Sequence, residues 1–354
     1  MSGEVAPLAL RLATFNVENL GDPGNDADRV AERTRLLKPQ ILRLRADVLC
    51  LQEVDSDRAG KGNARRLGAL DTLLEGTPYA DFHRLATTSR TTGEVRDKHN
   101  LVILSRFPIT DSRQIHHDLV SPPRHSAVTA IDDSGTRNNA EDGAEDGGGM
   151  PVEWDRPFLY AALSLGDSRP LHVLNLHLRA PRAAFVPGQK ADSRSWRTMA
   201  GWAEGFFLAA VKRAGQALET RLFIDRLFDA DPDALIVVCG DFNADDHETP
   251  VRTIRGDEED AGNSLLTART LVPVERSLAD SRRFSVVHHG RPQMLDHVLA
   301  SRPLLAWYRG SEIHNEALGD ELITSHAVRR SPESFHAPVV AEFRFEEPPA
   351  VTGS

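Results

Sequence analysis

Short apolar runs that alternate with longer amphipathic segments are the feature that most limits how this 354-residue chain can fold. The short runs are typical of buried strands, and the periodic segments between them are typical of helices. We predict strands at 8–15, 47–52, 101–105, 124–131, 157–165, 171–178, 235–239, 295–300 and 337–345, and helices at 28–37, 63–74 and 197–229, with a second short helix that starts at Pro39. Interleaved strands and helices predict a layered α/β (α+β) fold.

The chain shows neither an internal repeat nor a linker that would separate two halves. We therefore predict a single domain over residues 1–354. One segment departs from this pattern, because residues 132–155 are acidic and rich in glycine and hold few apolar groups. Such a composition cannot bury enough surface to become ordered, so we predict a flexible insertion between two strands.

The formal net charge is −10. Taken alone, this acidity argues against a nucleic-acid partner, because phosphate binding needs a basic footprint. However, residues 132–155 hold eight acidic residues against one arginine and so contribute −7. The remainder of the chain is nearly balanced at −3, and its charge is compatible with a substrate that bears phosphate.

Membrane and export signals are not evident in the sequence. The first ten residues carry no basic leader followed by an apolar run, and no segment reaches the roughly 18 apolar residues of a membrane helix. The two cysteines, Cys50 and Cys239, each end an apolar run and are interpreted as buried thiols. We expect a cytoplasmic protein without a membrane span.

The longest predicted helix carries an apolar stripe. Its members recur every three or four residues and are Met199, Trp202, Phe206 and Ala210, followed later by Leu218, Leu222 and Leu227. This spacing predicts an amphipathic helix.

Polar residues follow or interrupt the apolar strands at several points along the chain. They are Asn16, Glu53, Asn175 and His177, Asp241 and Asn243, Asp296, and His336 just before the last strand. Asn175 and His177 stand two residues apart and therefore share one face of their strand. Each residue taken singly has an ordinary structural explanation, and the functional hypothesis depends on the ordered set.

Four of these residues are suited to a divalent metal and a nucleophilic water. Mg²⁺ prefers oxygen ligands and is usually held by one or two carboxylates together with substrate phosphate. Glu53 and the amide oxygen of Asn16 fit that description, while Asp241 and Asn243 are able to hold or activate water. This set predicts metal-assisted hydrolysis of a phosphoester.

The remaining candidates are suited to proton transfer and to anion binding. An imidazole oriented by a carboxylate is an acid–base pair, which His336 and Asp296 are able to form. His177 and Arg156 can neutralise charge on phosphoryl oxygens in the transition state. We assign Asn175, with Arg156, to substrate binding. His247 lacks a second histidine at metal-binding spacing, so a zinc protease is set aside.

The order of these motifs resembles that of a known superfamily. The segments are Thr14-Phe15-Asn16-Val17-Glu18-Asn19-Leu20, Leu51-Gln52-Glu53-Val54, Asn175-Leu176-His177-Leu178, Gly240-Asp241-Phe242-Asn243, Leu295-Asp296-His297-Val298 and Ser334-Phe335-His336-Ala337-Pro338-Val339. Together they resemble the endonuclease/exonuclease/phosphatase superfamily over residues 14–339. The resemblance implies the deoxyribonuclease-I-like fold, a four-layer α-β-β-α sandwich with a site at one edge of its two sheets.

The resemblance also implies roles for the candidate residues. Glu53 would be the principal Mg²⁺ or Mn²⁺ ligand, with Asn16 beside it. His177 falls where nucleases of the superfamily place a catalytic histidine, and Arg156 resembles a phosphate-contacting arginine that opens a central strand. Whether the Asp241 carboxylate or the histidine before the last strand takes the proton from water stays open.

One position departs from the superfamily pattern. The last motif usually reads Ser-Asp-His, and Phe335 occupies the acidic position here. The carboxylate of the dyad is matched by Asp296 and is retained, but one possible metal ligand is missing. We therefore predict weaker metal binding or a site for a single ion.

Three functions fit the sequence. The first is a phosphodiesterase that cleaves nucleic acid, the second is a phosphomonoesterase or lipid phosphatase on the same scaffold, and the third is a phosphate-binding module without catalysis. The fold alone does not distinguish among these functions. Arginines at 179, 182, 194 and 197 flank His177 in a loop rich in Pro, Gly and Ser and suit phosphate contact. Few aromatic residues accompany them, so a base-stacking platform is not predicted. Neither a protein partner nor an oligomeric state can be inferred.

Overall fold

A computed structural model of the chain describes residues 8–21, 27–58, 64–131, 149–166, 169–192, 195–322 and 332–345. The strands within these ranges are β1 (Leu8–Leu20), β2 (Val48–Val54), β3 (Asp57–Arg58), β4 (Arg65–Arg66), β5 (His83–Ala86), β6 (Asn100–Ser105), β7 (Ile109–Ile115), β8 (Arg124–His125), β9 (Met150–Pro151), β10 (Phe158–Leu163), β11 (Leu171–His177), β12 (Leu235–Asp241), β13 (Leu271–Pro273), β14 (Val286–His288), β15 (Arg291–Gln293), β16 (Asp296–Ser301), β17 (Tyr308–Ile313) and β18 (Val339–Phe345). The helices are α1 (Ala27–Leu44), α2 (Gly68–Leu74), α3 (Met199–Ala230), α4 (Thr249–Arg255), α5 (Glu258–Ala261) and α6 (Arg302–Leu305), with short 3₁₀ turns at Pro78–Asp81, Ser264–Arg269, Val274–Ser277 and Asp280–Arg282.

Two six-stranded sheets form the centre of the molecule. The first sheet has the order β17-β18-β1-β2-β6-β5, and the second has the order β13-β16-β12-β11-β10-β7. The pairs β1–β2 and β11–β12 are parallel, and the other neighbours in both sheets are antiparallel. Both sheets are therefore mixed.

The buried apolar side chains divide into three layers. One layer lies between the two sheets and draws residues from both, including Leu12 and Val173. A second layer lies between the first sheet and α1 and α2, and a third lies between the second sheet and α3 and α4. This arrangement is the four-layer α-β-β-α sandwich that the sequence predicted. None of the helices within the described ranges is long and apolar enough to span a bilayer.

The layer between the sheets changes from apolar to polar along its length. On β11, Leu171 and Val173 belong to the apolar layer, and Asn175 and His177 continue the same strand face. On β12, Cys239 belongs to the apolar layer, and Asp241 continues the same strand face two residues later. Because β11 and β12 are parallel neighbours, their polar carboxyl ends meet at one end of the sandwich.

Three predicted elements differ from the structure. The helix predicted at 63–74 is shorter, because α2 begins at Gly68 and Arg65–Arg66 form β4. The predicted strand at 124–131 is wrong beyond its first two residues, because the carboxylate of Glu204 on α3 accepts the main-chain N–H groups of Val128 and Thr129 at 2.8 Å each and holds that segment as a loop. Pro39 does not start a second helix but lies inside α1. The predicted acidic insertion lies mostly outside the described residues, since only 149–155 of it belong to them.

The long helix α3 lies at its predicted position, but the apolar stripe seen in its sequence is not its buried face near the start of the helix. Met199 is 77% exposed, and Trp202 and Phe206 are 40% and 44% exposed. The buried face near the start of the helix is instead made by small residues, with Gly201 against Gln189 and Gly205 against the Ala184 carbonyl. The orientation of the first half of α3 is therefore determined by the close approach of neighbouring segments to its glycines, and not by burial of its largest side chains.

Candidate active site

A polar layer that joins the two sheets lies below the candidate site. The Gln52 side chain on β2 donates to the Thr14 hydroxyl at 3.0 Å and to the Asn175 side-chain oxygen at 2.7 Å. Asn175, on the second sheet, donates in turn to the main-chain carbonyls of Leu51 and Val102 on the first, at 3.0 Å each. The buried Asn175 amide thus fixes one sheet to the other, and its assignment to substrate binding stays a prediction.

Glu53 ends β2 in a left-handed conformation, with φ of 60°. Its side chain is 14% exposed. One carboxylate oxygen accepts the Asn19 main-chain N–H at 3.1 Å, and the other accepts from the Asn16 side-chain nitrogen at 3.3 Å. The carboxylate is thus held at the edge of the first sheet and partly open to a ligand.

Asn16 lies beside Glu53 as predicted, but it presents a different atom. Its side-chain oxygen accepts the Glu18 main-chain N–H at 2.9 Å, and its nitrogen donates to Glu53 and, at 3.0 Å, to Asp241 on the second sheet. The expected amide-oxygen ligand is therefore turned away from the carboxylates. Asn16 bridges the two carboxylates and fixes their separation.

Asp241 and Asn243 form a compact turn at the end of β12. The Asn243 main-chain and side-chain nitrogens donate to the two Asp241 oxygens at 2.8 and 2.9 Å. Gly240 precedes them with φ of 138°, and a Cβ atom there would lie 2.0 Å from the Leu176 carbonyl oxygen, so this turn requires glycine. Burial raises the pKa of Asp241, and the neighbouring Asp296 carboxylate adds to the rise, although His336 opposes it.

His336 and Asp296 form the predicted dyad. The His336 Nδ1 lies 2.8 Å from Asp296 Oδ2, and its Nε2 lies 4.0 Å from Asp241 Oδ2. Burial lowers the pKa of His336, but the charges of Asp296 and Asp241 outweigh this effect and hold the pKa well above its ordinary value. The imidazole is thereby oriented, with one nitrogen facing the carboxylate of β12.

His177 is 2% exposed and completes the group from the end of β11. Its Nε2 lies 3.4 Å from an Asp241 oxygen and 3.5 Å from a Glu53 oxygen. Burial and the nearby Arg156 charge lower the pKa of His177 well below its usual range, so the ring is neutral at pH 7. Its Nδ1 is buried and has no hydrogen-bond partner among the described residues.

Arg156 reaches the same group from the segment before β10, and it brings in a residue that sequence reasoning missed. Its guanidinium donates to the Leu178 carbonyl at 3.3 Å and to His99 Nδ1 at 2.7 Å. The His99 ring stacks on His177 with a centroid separation of 6.0 Å. A single histidine before a strand gives no recognisable sequence signal, and only the fold brings His99 to the site.

Glu18 is the second missed residue, although it stands within the first motif. Its carboxylate accepts the Phe335 main-chain N–H at 3.0 Å. Burial raises the pKa of Glu18, and Glu53 contributes to this rise. A carboxylate from β1 therefore lies against the position where the superfamily usually has aspartate.

The assembled residues form two groups in contact with each other. Ligand atoms of Glu53, His99 and His177 lie within 4.8 Å of one another, and so do those of Asp241, Asp296 and His336. The first group offers an anionic oxygen beside imidazoles, and the second offers a carboxylate beside an oriented acid–base pair. Such an arrangement is able to bind a cation, hold a water and receive a phosphoryl group.

Solved structures with similar folds were found for nearly the whole chain. A truncated TDP2 from Caenorhabditis elegans aligns with a TM-score of 0.54 at 14% identity, covering 95% of this chain and 97% of the other. An endonuclease/exonuclease/phosphatase family protein from Bacteroides thetaiotaomicron aligns with a TM-score of 0.54 at 13% identity, covering 97% and 100%. At these identities the likeness shows the fold alone, which is deoxyribonuclease-I-like.

Comparison of sequences gives the family. A search of curated proteins found no match to the chain. In contrast, residues 13–326, which contain the first five motifs, match the sequence profile of the Endonuclease/Exonuclease/phosphatase family. The members of that family are phosphoester hydrolases. The chain therefore belongs to the Endonuclease/Exonuclease/phosphatase family.

Proposed function

We propose that the protein is a divalent-metal-dependent phosphodiesterase that hydrolyses phosphodiester bonds of nucleic acid. The observation that carries this proposal is the meeting of Glu53, Asp241 and the His336–Asp296 dyad at one end of the sandwich. These groups come from both sheets, and none of them is needed there to fill the core. Their combination matches the requirements for hydrolysis at phosphorus.

The proposed ion is Mg²⁺ or Mn²⁺, with Glu53 as its main ligand. The residues fit such an ion, because the Glu53 and Asp241 carboxylates both accept from the Asn16 side-chain nitrogen and both lie within 3.5 Å of His177 Nε2, and hard oxygen donors of this kind suit Mg²⁺ or Mn²⁺. When bound, the ion would polarise a phosphoryl oxygen and offset negative charge. With Phe335 in the acidic position, we keep the prediction of a single or weakly held ion, which calorimetric titration with Mn²⁺ tests.

The second group of residues supplies the water and the proton transfer. Asn243 holds both oxygens of Asp241, so this carboxylate is able to orient a water for attack at phosphorus. The gap of 4.0 Å between His336 Nε2 and Asp241 admits one oxygen atom that hydrogen-bonds to both. Asp296 keeps the imidazole oriented during proton transfer.

Arg156 and His177 face the substrate phosphate in this proposal. Arg156 is a permanent cation beside Glu53 and Asp241, and it can neutralise charge that develops on the phosphoryl oxygens. The His177 ring, neutral at pH 7, is able to donate one hydrogen bond from Nε2 without adding repulsion toward the metal.

The decisive experiment is a panel of substrates incubated with the protein and Mg²⁺ or Mn²⁺. Linear DNA, plasmid DNA, RNA and phosphorylated small molecules are compared, with EDTA as the metal-free control. We expect shortened polynucleotides that depend on the metal. Release of inorganic phosphate while the polymers stay intact would instead assign a phosphomonoesterase, and no turnover of any substrate would assign a phosphate-binding module.

We also propose a cytoplasmic location and no membrane-spanning segment, as the sequence predicts. A green fluorescent protein fusion that is diffuse in the cytoplasm would support the location. Accumulation of the fusion at the cell envelope would contradict it.

A further inference from the structure

Four cationic residues lie around Asp155 next to the candidate active site, and two of them bind its carboxylate. The carboxylate accepts a hydrogen bond from Arg179 and pairs with Lys212 at 2.9 Å, while the Arg96 guanidinium donates to the Asp155 main-chain carbonyl at 3.2 Å and Arg156 follows Asp155 in the chain. We call these five residues the Asp155 cluster. Arg179 and Lys212 are 24% and 21% exposed at their side chains, so the cluster is partly withdrawn from water.

The charges of the Asp155 cluster do not balance. The side chains carry four positive charges and one negative charge, which leaves +3 within a small, partly buried volume. Glu53 and Asp241 offset part of the Arg156 charge, because both stabilise its protonated form. The Arg179 Nε–H is buried and has no hydrogen-bond partner among the residues that the structure describes. A positive excess with an unused donor is the composition of an anion site.

The Asp155 cluster is continuous with the hydrolytic residues. Arg156 belongs to the cluster and also donates to His99, whose ring stacks on His177. His99 is held in a left-handed conformation, with φ of 54°, by the Asp55 carboxylate, which accepts its main-chain N–H at 2.6 Å. Strain that surrounding contacts maintain in this way is usual at functional sites. An anion in the cluster would therefore lie beside the phosphate in the active site.

We propose that the Asp155 cluster binds the phosphate that neighbours the scissile phosphate, and that the enzyme consequently prefers a polynucleotide strand to an isolated phosphoester. This inference rests on the proposed function, because it assumes that the scissile phosphate lies between Glu53 and Arg156. The neighbouring phosphate would accept from Arg179 and Lys212, and it would compete with Asp155 for them. Backbone contacts of this type position a strand without reading its sequence.

The first test removes two of the charges with the double variant Arg179→Gln/Lys212→Gln. Turnover of a single-stranded oligonucleotide and of bis(nitrophenyl) phosphate, which has no second phosphate, is measured over a range of salt concentrations. Each phosphate contact with a single strand contributes about 0.7 to the slope of log affinity against log salt. Because the double variant loses the contact with one phosphate, we expect the oligonucleotide slope to fall by about 0.7 and its KM to rise more than that of the small diester.

A matched control keeps the same change of charge away from the site. Arg84 and Arg169 each pair with one carboxylate on the surface, Asp71 and Asp233 respectively. The variant Arg84→Gln/Arg169→Gln should keep the salt slope of the wild type. An oligonucleotide slope that is unchanged in Arg179→Gln/Lys212→Gln, or that falls equally in the control, would overturn the proposal.

For a second variant, we expect KM and the salt slope to change in the opposite direction. Asp155→Asn removes the anion that competes with substrate phosphate, so KM for the oligonucleotide should fall and the salt slope should become steeper. If Asp155 only stabilises the fold, the same variant lowers the melting temperature and reduces turnover of both substrates to the same extent. That second outcome would count against the proposal.

Binding without hydrolysis separates this proposal from the proposed function. Fluorescence anisotropy of a labelled single-stranded oligonucleotide in EDTA reports affinity for the full-length protein without turnover. If no substrate is hydrolysed but the salt slope still falls in Arg179→Gln/Lys212→Gln, the phosphodiesterase is wrong and the anion site stands. If hydrolysis occurs but neither variant alters binding, the anion site is wrong and the phosphodiesterase stands.

Discussion

Left-handed backbone conformations concentrate at the active site. Eight described non-glycine residues have positive φ, and five of them, Glu18, Asn19, Glu53, His99 and Asn243, belong to the site or adjoin it. Each such conformation costs about 1–3 kcal/mol and persists only where neighbouring contacts enforce it. The molecule therefore uses part of its folding free energy to direct side chains at the ends of β1, β2 and β12 toward a common point.

This strain explains which residues sequence reasoning could find. Asp241, Asp296 and His336 were predictable, because they follow or precede apolar strands in a fixed order and are chemically suited to the reaction. The orientation of the Asn16 side chain was not predictable, since it depends on the main-chain N–H of Glu18. The position of His99 at the site was not predictable either, since it depends on a left-handed backbone conformation. Residue identity gives the available chemistry, whereas local backbone geometry decides which atom faces the site.

The dyad gives the prediction that belongs to single residues. If His336 transfers a proton during hydrolysis, His336→Ala should lower kcat by on the order of 10²-fold or more. Steady-state kinetics on the oligonucleotide measures the change. The control is His247→Ala, since His247 has an 83% exposed side chain and no role in the proposed proton transfer. A kcat within a factor of two of wild type for His336→Ala would mean that the dyad has been misassigned.

At the level of elements, apolar strands were the most predictable part of the fold. The runs that became β6, β10, β12 and β16 are buried along their whole length, so composition alone locates them. Helix α3 shows the limit of this reasoning, because its large apolar residues are exposed and its small residues pack. The periodicity of apolar residues in the sequence identifies an amphipathic helix, but the shape of the protein surface on which the helix packs decides which face is buried. Exposed aromatic residues near the arginine loop come both from the loop, at Phe185, and from α3, at Trp202 and Phe206.

A buried histidine ties three elements together behind the site. His297 on β16 is 0% exposed, and its ring nitrogens lie 2.6 Å from the Glu275 carboxylate and 2.8 Å from the carbonyl of Ala244, which follows the Asp241–Asn243 turn. Burial lowers the pKa of His297, but the hydrogen bond and charge of Glu275 outweigh this effect and raise the pKa to about 9. The protonated ring thus fixes the turn that carries Asp241.

This linkage predicts how stability depends on pH. The pKa of His297 in the folded protein, about 9, lies above the unfolded value of about 6.5, so its contribution is complete below pH 6.5 and is lost as pH rises through 9. The shift corresponds to on the order of 3 kcal/mol. Urea unfolding at pH 7 and pH 10 should show the loss in wild type. Glu275→Gln should be less stable at pH 7 and should show a smaller loss between the two pH values; an equal loss would assign the dependence to other groups.

At the scale of the whole molecule, the candidate active site lies where the two sheets meet. The layer of Thr14, Gln52 and Asn175 joins the sheets by hydrogen bonds, and Asn16 on the first sheet bonds Asp241 on the second. The four-layer order was predictable from the motifs, because their sequence resembles that of a known family. The contacts across the joint were not, since they depend on how the two sheets align face to face.

A site that spans two sheets predicts that the catalytic ion stabilises the entire fold. An ion held by Glu53 and Asp241 would bind the folded chain only, so an ion concentration of 100 times Kd should add about 2.7 kcal/mol to the free energy of unfolding. Thermal unfolding should therefore shift upward with Mn²⁺ or Mg²⁺ and return with EDTA. Glu53→Gln should lose the shift, while Glu94→Gln, which alters a surface carboxylate paired with Arg58, should keep it. Glu53 and Asp241 lie on different sheets, so if both were to hold the ion, a single cooperative transition should move as a whole. A metal-dependent shift in only part of the unfolding transition would instead mean that the ion is held within one sheet, and that Asp241 serves the water alone.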